Sequence, residues 1–161
     1  MAMNKNNHSE KKTELLEIVS QANYPYNYSA GKLLSFFFRA LRDERKIYGR
    51  KCSQCGKVYV PPRPVCGPCF APTNEWVEVG PQGILECFTV VYFTFLDPMT
   101  GKKRPVPYGY GLIKLDNAGT RIQHFLSEND PKKLKVGMRM EAVFNQDREG
   151  KLSDIKWFQP V

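Results

Sequence analysis

The 161-residue sequence has no apolar run approaching the ~18 residues that a membrane-spanning helix requires. Its first residues, Met1 to Lys12, carry no apolar signal core, so export is not indicated and a cytoplasmic setting is expected. Histidine is scarce. His8 sits in the polar N-terminal tail, and His124 falls in a strand pattern between apolar residues. That leaves little for a His-assisted nucleophile. No glycine-rich loop leads into a helix, which excludes Walker-type and dinucleotide phosphate cradles. The carboxylates are unpaired along the chain, and Asp97, Asp116 and Asp147 fall at turns, where Asp bonds to its own backbone. There is no internal repeat, no low-complexity segment and no run of five or six like charges.

What is present begins with five cysteines, ten Phe, eight Tyr and a formal charge of +8. Four of the cysteines form two pairs, Cys52-Ser-Gln-Cys55 and Cys66-Gly-Pro-Cys69. A Cys-x-x-Cys turn sets two sulfurs on one side of an ion, and a second turn supplies the other side, the spacing of a zinc ribbon. Four cysteines close the coordination shell, so one structural zinc per chain is expected, with Cys52, Cys55, Cys66 and Cys69 as ligands. Disulfides would need an oxidising compartment. The fifth cysteine, Cys87, lies in an apolar strand pattern and is expected in the core. Four thiolates around one divalent ion bring the charge of +8 nearer to about +6. That charge is scattered, with Lys102-Lys103-Arg104 its densest patch.

Along the chain, Thr13 to Gln21 has the pattern of a short amphipathic helix. An aromatic extended stretch, Asn23 to Tyr28, follows. Ser29 is placed to cap a helix running to about Ile47, with an apolar stripe of Leu33, Leu34, Phe37, Phe38 and Leu41 and with Phe36 off it. Tyr24, Tyr26, Tyr28 and Phe36, with Phe37 beside it, are candidates for a partner-binding arm, set against packing on the chain's own ribbon. From Glu75 onward the pattern is β. Strands are expected at Ile84 to Thr94, Tyr108 to Leu115, Thr120 to Leu126, Met138 to Phe144 and Leu152 to Phe158. Five such strands, with a longer connector between the third and fourth, suit a small OB-type barrel. The division expected is a tail and helical arm over 1–47, a zinc ribbon over 48–74 and an OB-fold domain over 75–161.

At this point the chain resembles the bacterial and archaeal acyl-CoA-associated proteins that join an N-terminal helix, a rubredoxin-like zinc ribbon and an OB-fold. The resemblance rests on Cys52-Ser-Gln-Cys-Gly56, Val60-Pro-Pro-Arg63, Cys66-Gly-Pro-Cys69, Trp76, Gly83, Pro107-Tyr108, Leu115-Asp116, Gly137 and Phe158, and covers roughly residues 30 to 160. It implies a mainly β chain that works as a small non-catalytic subunit of a hetero-oligomer. The partner it implies is a thiolase-like protein, whose acyl-CoA site the subunit helps to form for C–C bond cleavage or formation. Some members instead join hydratase or aldolase assemblies. The zinc-finger subunits of benzoylsuccinyl-CoA-type thiolases are one branch open to this chain. Coenzyme A or acyl-CoA would lie at a shared site, and Lys102, Lys103 and Arg104 are the candidates to meet its anionic end. The family pattern carries no catalytic residue onto this sequence. The alternative is a nucleic-acid-binding ribbon and barrel. Its stacking aromatics would be Phe88, Tyr92, Tyr108 and Tyr110, but only Lys114 and Arg121 lie among the middle strands as cations. A stand-alone zinc hydrolase finds no open metal position.

Overall fold

The computed structural model describes residues 27–96 and 101–161. The element order is α1 (Gly31–Glu44), β1 (Ile47–Cys52), β2 (Val58–Tyr59), β3 (Thr73–Val79), β4 (Gln82–Val91), β5 (Tyr108–Leu115), β6 (Ile122–Leu126), β7 (Arg139–Phe144), a single 3-10 turn η1 (Leu152–Asp154) and β8 (Ile155–Pro160). The expected helix at Thr13 to Gln21 lies outside the described residues, as do Tyr24 and Tyr26.

Helix α1 starts one residue later than expected: Ala30 and not Ser29 is its N-cap, without a side-chain cap, while the Gly31 amide donates to Ser29 Oγ at 3.1 Å. It stops at Glu44, three residues short of Ile47. Arg45 takes a left-handed conformation (φ 57°), and the Lys46 amide donates to the Ala40 carbonyl at 3.3 Å. Both features close off helix ends. Ile47 instead opens β1, where it is 1% exposed.

Two sheets follow. The first has the order β2-β1-β3 and belongs to the ribbon. Glu75 to Val79, expected as the entry to the barrel domain, pairs with β1 from Ile47↔Val79 to Lys51↔Glu75. Tertiary pairing, not local pattern, assigns this strand. Trp76 sits opposite Arg50, whose guanidinium lies 4.9 Å from the indole centroid. Phe36 stacks on the other side of the joint at 4.2 Å and 28°. Trp76 thus ties α1 to the ribbon sheet.

The second sheet is a closed barrel, β4-β5-β6-β8-β7, with the five strands anticipated for an OB-fold. All its contacts are antiparallel except β6 with β8, which run parallel and meet at Leu126↔Phe158. β4 crosses β5 so closely at Gly83 that an added Cβ would lie 2.5 Å from the Lys114 carbonyl oxygen. One core serves helix, ribbon and barrel. Phe37 and Leu41 join Val58, Val60, Leu85, Ile113 and Phe158 in a single buried cluster.

β4 also corrects the reading of Cys87. Its register with β5 shifts between Leu85 and Cys87. Before that bulge Gly83 and Leu85 point inward. After it Phe88 and Val90 pack on the core, and Cys87 is exposed. One extra residue exchanges the two faces of a strand, so the apolar pattern alone could not assign this thiol.

Candidate functional site

Cys52 ends β1, and Cys55 follows in the turn, where the Gly56 amide donates to the Cys52 carbonyl at 3.1 Å. Cys66 and Cys69 form a second turn, in which the Phe70 amide donates to the Cys66 carbonyl at 2.9 Å. The four sulfurs all lie within 4.8 Å of one another. Cys55 Sγ and Cys66 Sγ are 3.7 Å apart. A tetrahedron of ~2.3 Å zinc–sulfur bonds has edges of about 3.8 Å, so the spacing fits the ion. The Gln54 and Cys55 amides donate to Cys52 Sγ at 3.4 and 3.5 Å, as suits a thiolate.

Tyr59, buried at 4% exposure, supplies a contact that the cysteine spacing did not reveal. Its hydroxyl accepts from the Gly67 amide at 3.2 Å and lies 3.2 Å from Cys66 Sγ. Donation from that hydroxyl draws the Cys66 thiol from 9.0 down to about 6. Hydrogen bonding of its S–H to Cys55, aided by burial, pushes the Cys69 thiol up to about 12. Four adjacent sulfurs cannot all ionise without a cation between them, and a divalent ion removes that conflict. An ion held by all four sulfurs would have no open corner, the arrangement of structural zinc sites.

The ribbon is locked to the barrel by Thr120. Its Oγ1 accepts from the Val60 amide at 2.8 Å and donates to the Val60 carbonyl at 2.9 Å. Beside it the Gly119 amide donates to the Val58 carbonyl at 2.8 Å, and a Cβ at Gly119 would come within 2.7 Å of Lys57 Cγ. A Thr before a strand carries no signal of this role.

The three basic candidates diverge. Lys102 and Lys103 are exposed in the β4–β5 connection. Arg104 is half-buried and folds back, its guanidinium 3.9 Å from the Phe125 centroid and 5.7 Å from that of Tyr108.

The partner-arm candidates also separate. Tyr28 is 79% exposed. Phe36 is occupied by Trp76 and by Tyr48, whose centroid is 5.6 Å away. Phe37 is 0% exposed, inside the core cluster, and offers nothing to a partner. The α1 stripe assigned it correctly to packing. The larger apolar surface is one that the sequence reading placed partly within a strand, at Tyr92 and Phe93, and partly beyond it. Tyr92, Phe93, Phe95, Leu96 and Val106 are all exposed in the extension beyond Val91↔Tyr108, the last β4–β5 pair. The signal was available as length, because a strand continued to Thr94 outruns the partner that begins at Tyr108.

His124 shares a face with Ile122 and Leu126, and all three are buried. Its Nε2 is 3.4 Å from the Leu152 carbonyl. Burial lowers its pKa from 6.5 and keeps the ring neutral. Among the described residues no helix is long and apolar enough to cross a membrane.

Comparison with known proteins agrees with this architecture. Residues 39–75 match the rubredoxin-like zinc ribbon domain of ChsH2, and residues 76–145 match the ChsH2 C-terminal OB-fold domain. A DUF35 domain-containing scaffold protein of Methanocaldococcus jannaschii is 28% identical over 119 residues, 73% of this chain and 81% of the relative. Its counterpart in Pyrococcus furiosus is 28% identical over 116 residues, 72% of this chain and 81% of its own length. Among solved structures, the Ltp2-ChsH2(DUF35) aldolase superposes with a TM-score of 0.60 at 22% identity, covering 83% of this chain and 98% of that one. A DUF35-family protein of unknown function from Sulfolobus solfataricus gives 0.56 at 24% identity, covering 78% and 83%. The four-cysteine knuckle, the closed five-stranded barrel and both matched domains place this chain in the ChsH2 zinc-ribbon and OB-fold (DUF35) family.

Proposed function

We propose that this protein is a non-catalytic scaffold subunit that binds a thiolase-like enzyme and helps form its acyl-CoA site for C–C bond cleavage or formation. The observation that carries the reading is the β4–β5 extension. There Phe93 is 70%, Tyr92 64% and Leu96 61% exposed, and the rings of Phe93 and Phe95 are 6.4 Å apart. A contiguous aromatic patch on the tip of a rigid barrel is costly in water and favourable once a partner covers it. Lys102 and Lys103 belong to the same extension, where they would attract the phosphates of an acyl-CoA held by the partner. The relatives named as scaffold proteins, and the solved neighbour named as an Ltp2-ChsH2 aldolase, support a role in assembly. Tyr24, Tyr26 and Tyr28 remain a proposed second contact.

The test is co-purification of the tagged full chain with thiolase-like proteins of its host, followed by size-exclusion chromatography. The Phe93→Ser/Phe95→Ser double variant is expected to lose the complex while keeping its metal content and melting temperature. Recovery of the same complex with that variant, or no thiolase-like protein with the wild type, overturns the reading.

A further inference from the structure

The four cysteines of the cluster are not equivalent. Cys52 and Cys66 are 2% and 0% exposed, Cys69 is half-buried, and Cys55 is exposed. The topology explains the difference. Cys52 ends β1, pairs with Thr73 of β3, and donates its amide to the Lys57 carbonyl at 2.9 Å. The Cys66 amide donates to the Ala71 carbonyl at 2.9 Å, which pins it beneath its own loop. Cys55 lies in the turn between β1 and β2, past their final pair Lys51↔Val58, where the sheet no longer flanks it.

Hydrogen bonds sharpen the contrast. Cys52 Sγ accepts from the Gln54 and Cys55 amides at 3.4 and 3.5 Å. Cys66 Sγ lies 3.2 Å from the hydroxyl of Tyr59, a buried side chain that the Gly67 amide holds in place. Among the described residues no N–H or O–H donates to Cys55 Sγ, which meets Cys66 Sγ at 3.7 Å. Donors draw electron density from a thiolate and lower its nucleophilicity, and burial keeps reagents away from it. Cys52 and Cys66 have both protections, and Cys55 has neither.

We propose that Cys55 is a modification site through which soft carbon electrophiles open the metal centre. In the zinc-loaded chain the Cys55 thiolate supplies the electron pair, an S–C bond forms, and the leaving group departs with the electrons of the bond it breaks. No proton moves. The product is a neutral thioether, so the ion loses one of its four anionic ligands and its hold on the ribbon. Tyr59 is a positioning residue in this scheme. Its hydroxyl quiets Cys66 and leaves Cys55 as the point of attack. The inference rests on the ligand set and not on any partner.

The test uses the zinc-loaded full chain carrying Cys87→Ser, which removes the one thiol outside the cluster. The probe is substoichiometric iodoacetamide, with iodide as leaving group. Adducts are located by peptide mass spectrometry, and released zinc is followed with a colorimetric chelator. The first adduct is expected on Cys55, rising in step with zinc release. Tyr59→Phe should weaken zinc binding about 10-fold. In its cobalt-loaded form the sulfur-to-metal charge-transfer band should move to longer wavelength, because an unbonded thiolate gives up charge more readily. Where Tyr59→Phe fails to fold, the order of adducts in the Cys87→Ser chain decides. A first adduct on Cys52, Cys66 or Cys69, alkylation of Cys55 without zinc release, or a folded Tyr59→Phe protein with band and affinity unchanged overturns the proposal.

Discussion

Thr120→Val is the sharpest probe of how this chain holds its two parts together. Valine keeps the shape of threonine and removes one hydroxyl. That hydroxyl satisfies both the amide and the carbonyl of Val60, at 2.8 and 2.9 Å, and Val60 is 3% exposed. Water therefore has little access to replace it. A buried polar group left unpaired costs about 1–3 kcal/mol, and the amide is the harder of the two to satisfy elsewhere. The sum expected is roughly 2–3 kcal/mol, with little added from packing. For a chain of this size 1 kcal/mol moves the melting temperature by about 2–4 °C, so a fall of roughly 5–10 °C is expected. The assay is thermal and urea unfolding of the zinc-loaded protein, with Thr120→Ser as control. Serine retains the oxygen and should recover most of the loss. A Thr120→Val protein within about 0.5 kcal/mol of wild type, or a serine variant as weak as the valine one, would refute the reasoning.

Two further outcomes follow from the metal centre and the buried histidine. Metal analysis should return one zinc per chain, and Cys52→Ser or Cys69→Ser should lose it and unfold the ribbon. A variant that keeps full stability without metal would count against a structural ion. His124, its pKa lowered by burial, stays neutral in the folded chain while the unfolded chain takes up a proton below 6.5. Its contribution is thus intact above pH 6.5 and falls away as pH drops toward the lowered folded value, by at most about 1.4 kcal/mol per pH unit. Urea midpoints compared between pH 7.5 and 5.5 should decline more steeply for wild type than for His124→Gln. Parallel declines would remove His124 as the cause.

Much of the architecture was legible because it is written locally. The Cys-x-x-Cys spacing needs only two turns and an ion, and five barrel strands announce themselves by period and turn residues. Other features were not legible, for reasons that particular residues make plain. Cys87 reads as core by alternation, yet one bulge reverses the faces of β4. Glu75 to Val79 alternates like any strand, and nothing within it names β1 as its partner. Tyr92 to Leu96 has the composition of a strand interior but extends past the end of β5. Phe36 and Phe37 are neighbours of the same type. The helix turns one into the core and the other against Trp76, a residue forty positions away.

The sequence by itself determined the ligand set, the strand count and the mainly β ribbon-plus-barrel order, since spacing, periodicity and turn chemistry are properties of short segments. The tertiary structure alone decided which aromatics face water and how Thr120 holds Val60. It also decided that Cys55 is exposed while Tyr59 closes over Cys66. Those outcomes depend on register and on closure of the barrel, in which residues far apart in the chain compete for the same neighbours, and no local pattern encodes that competition.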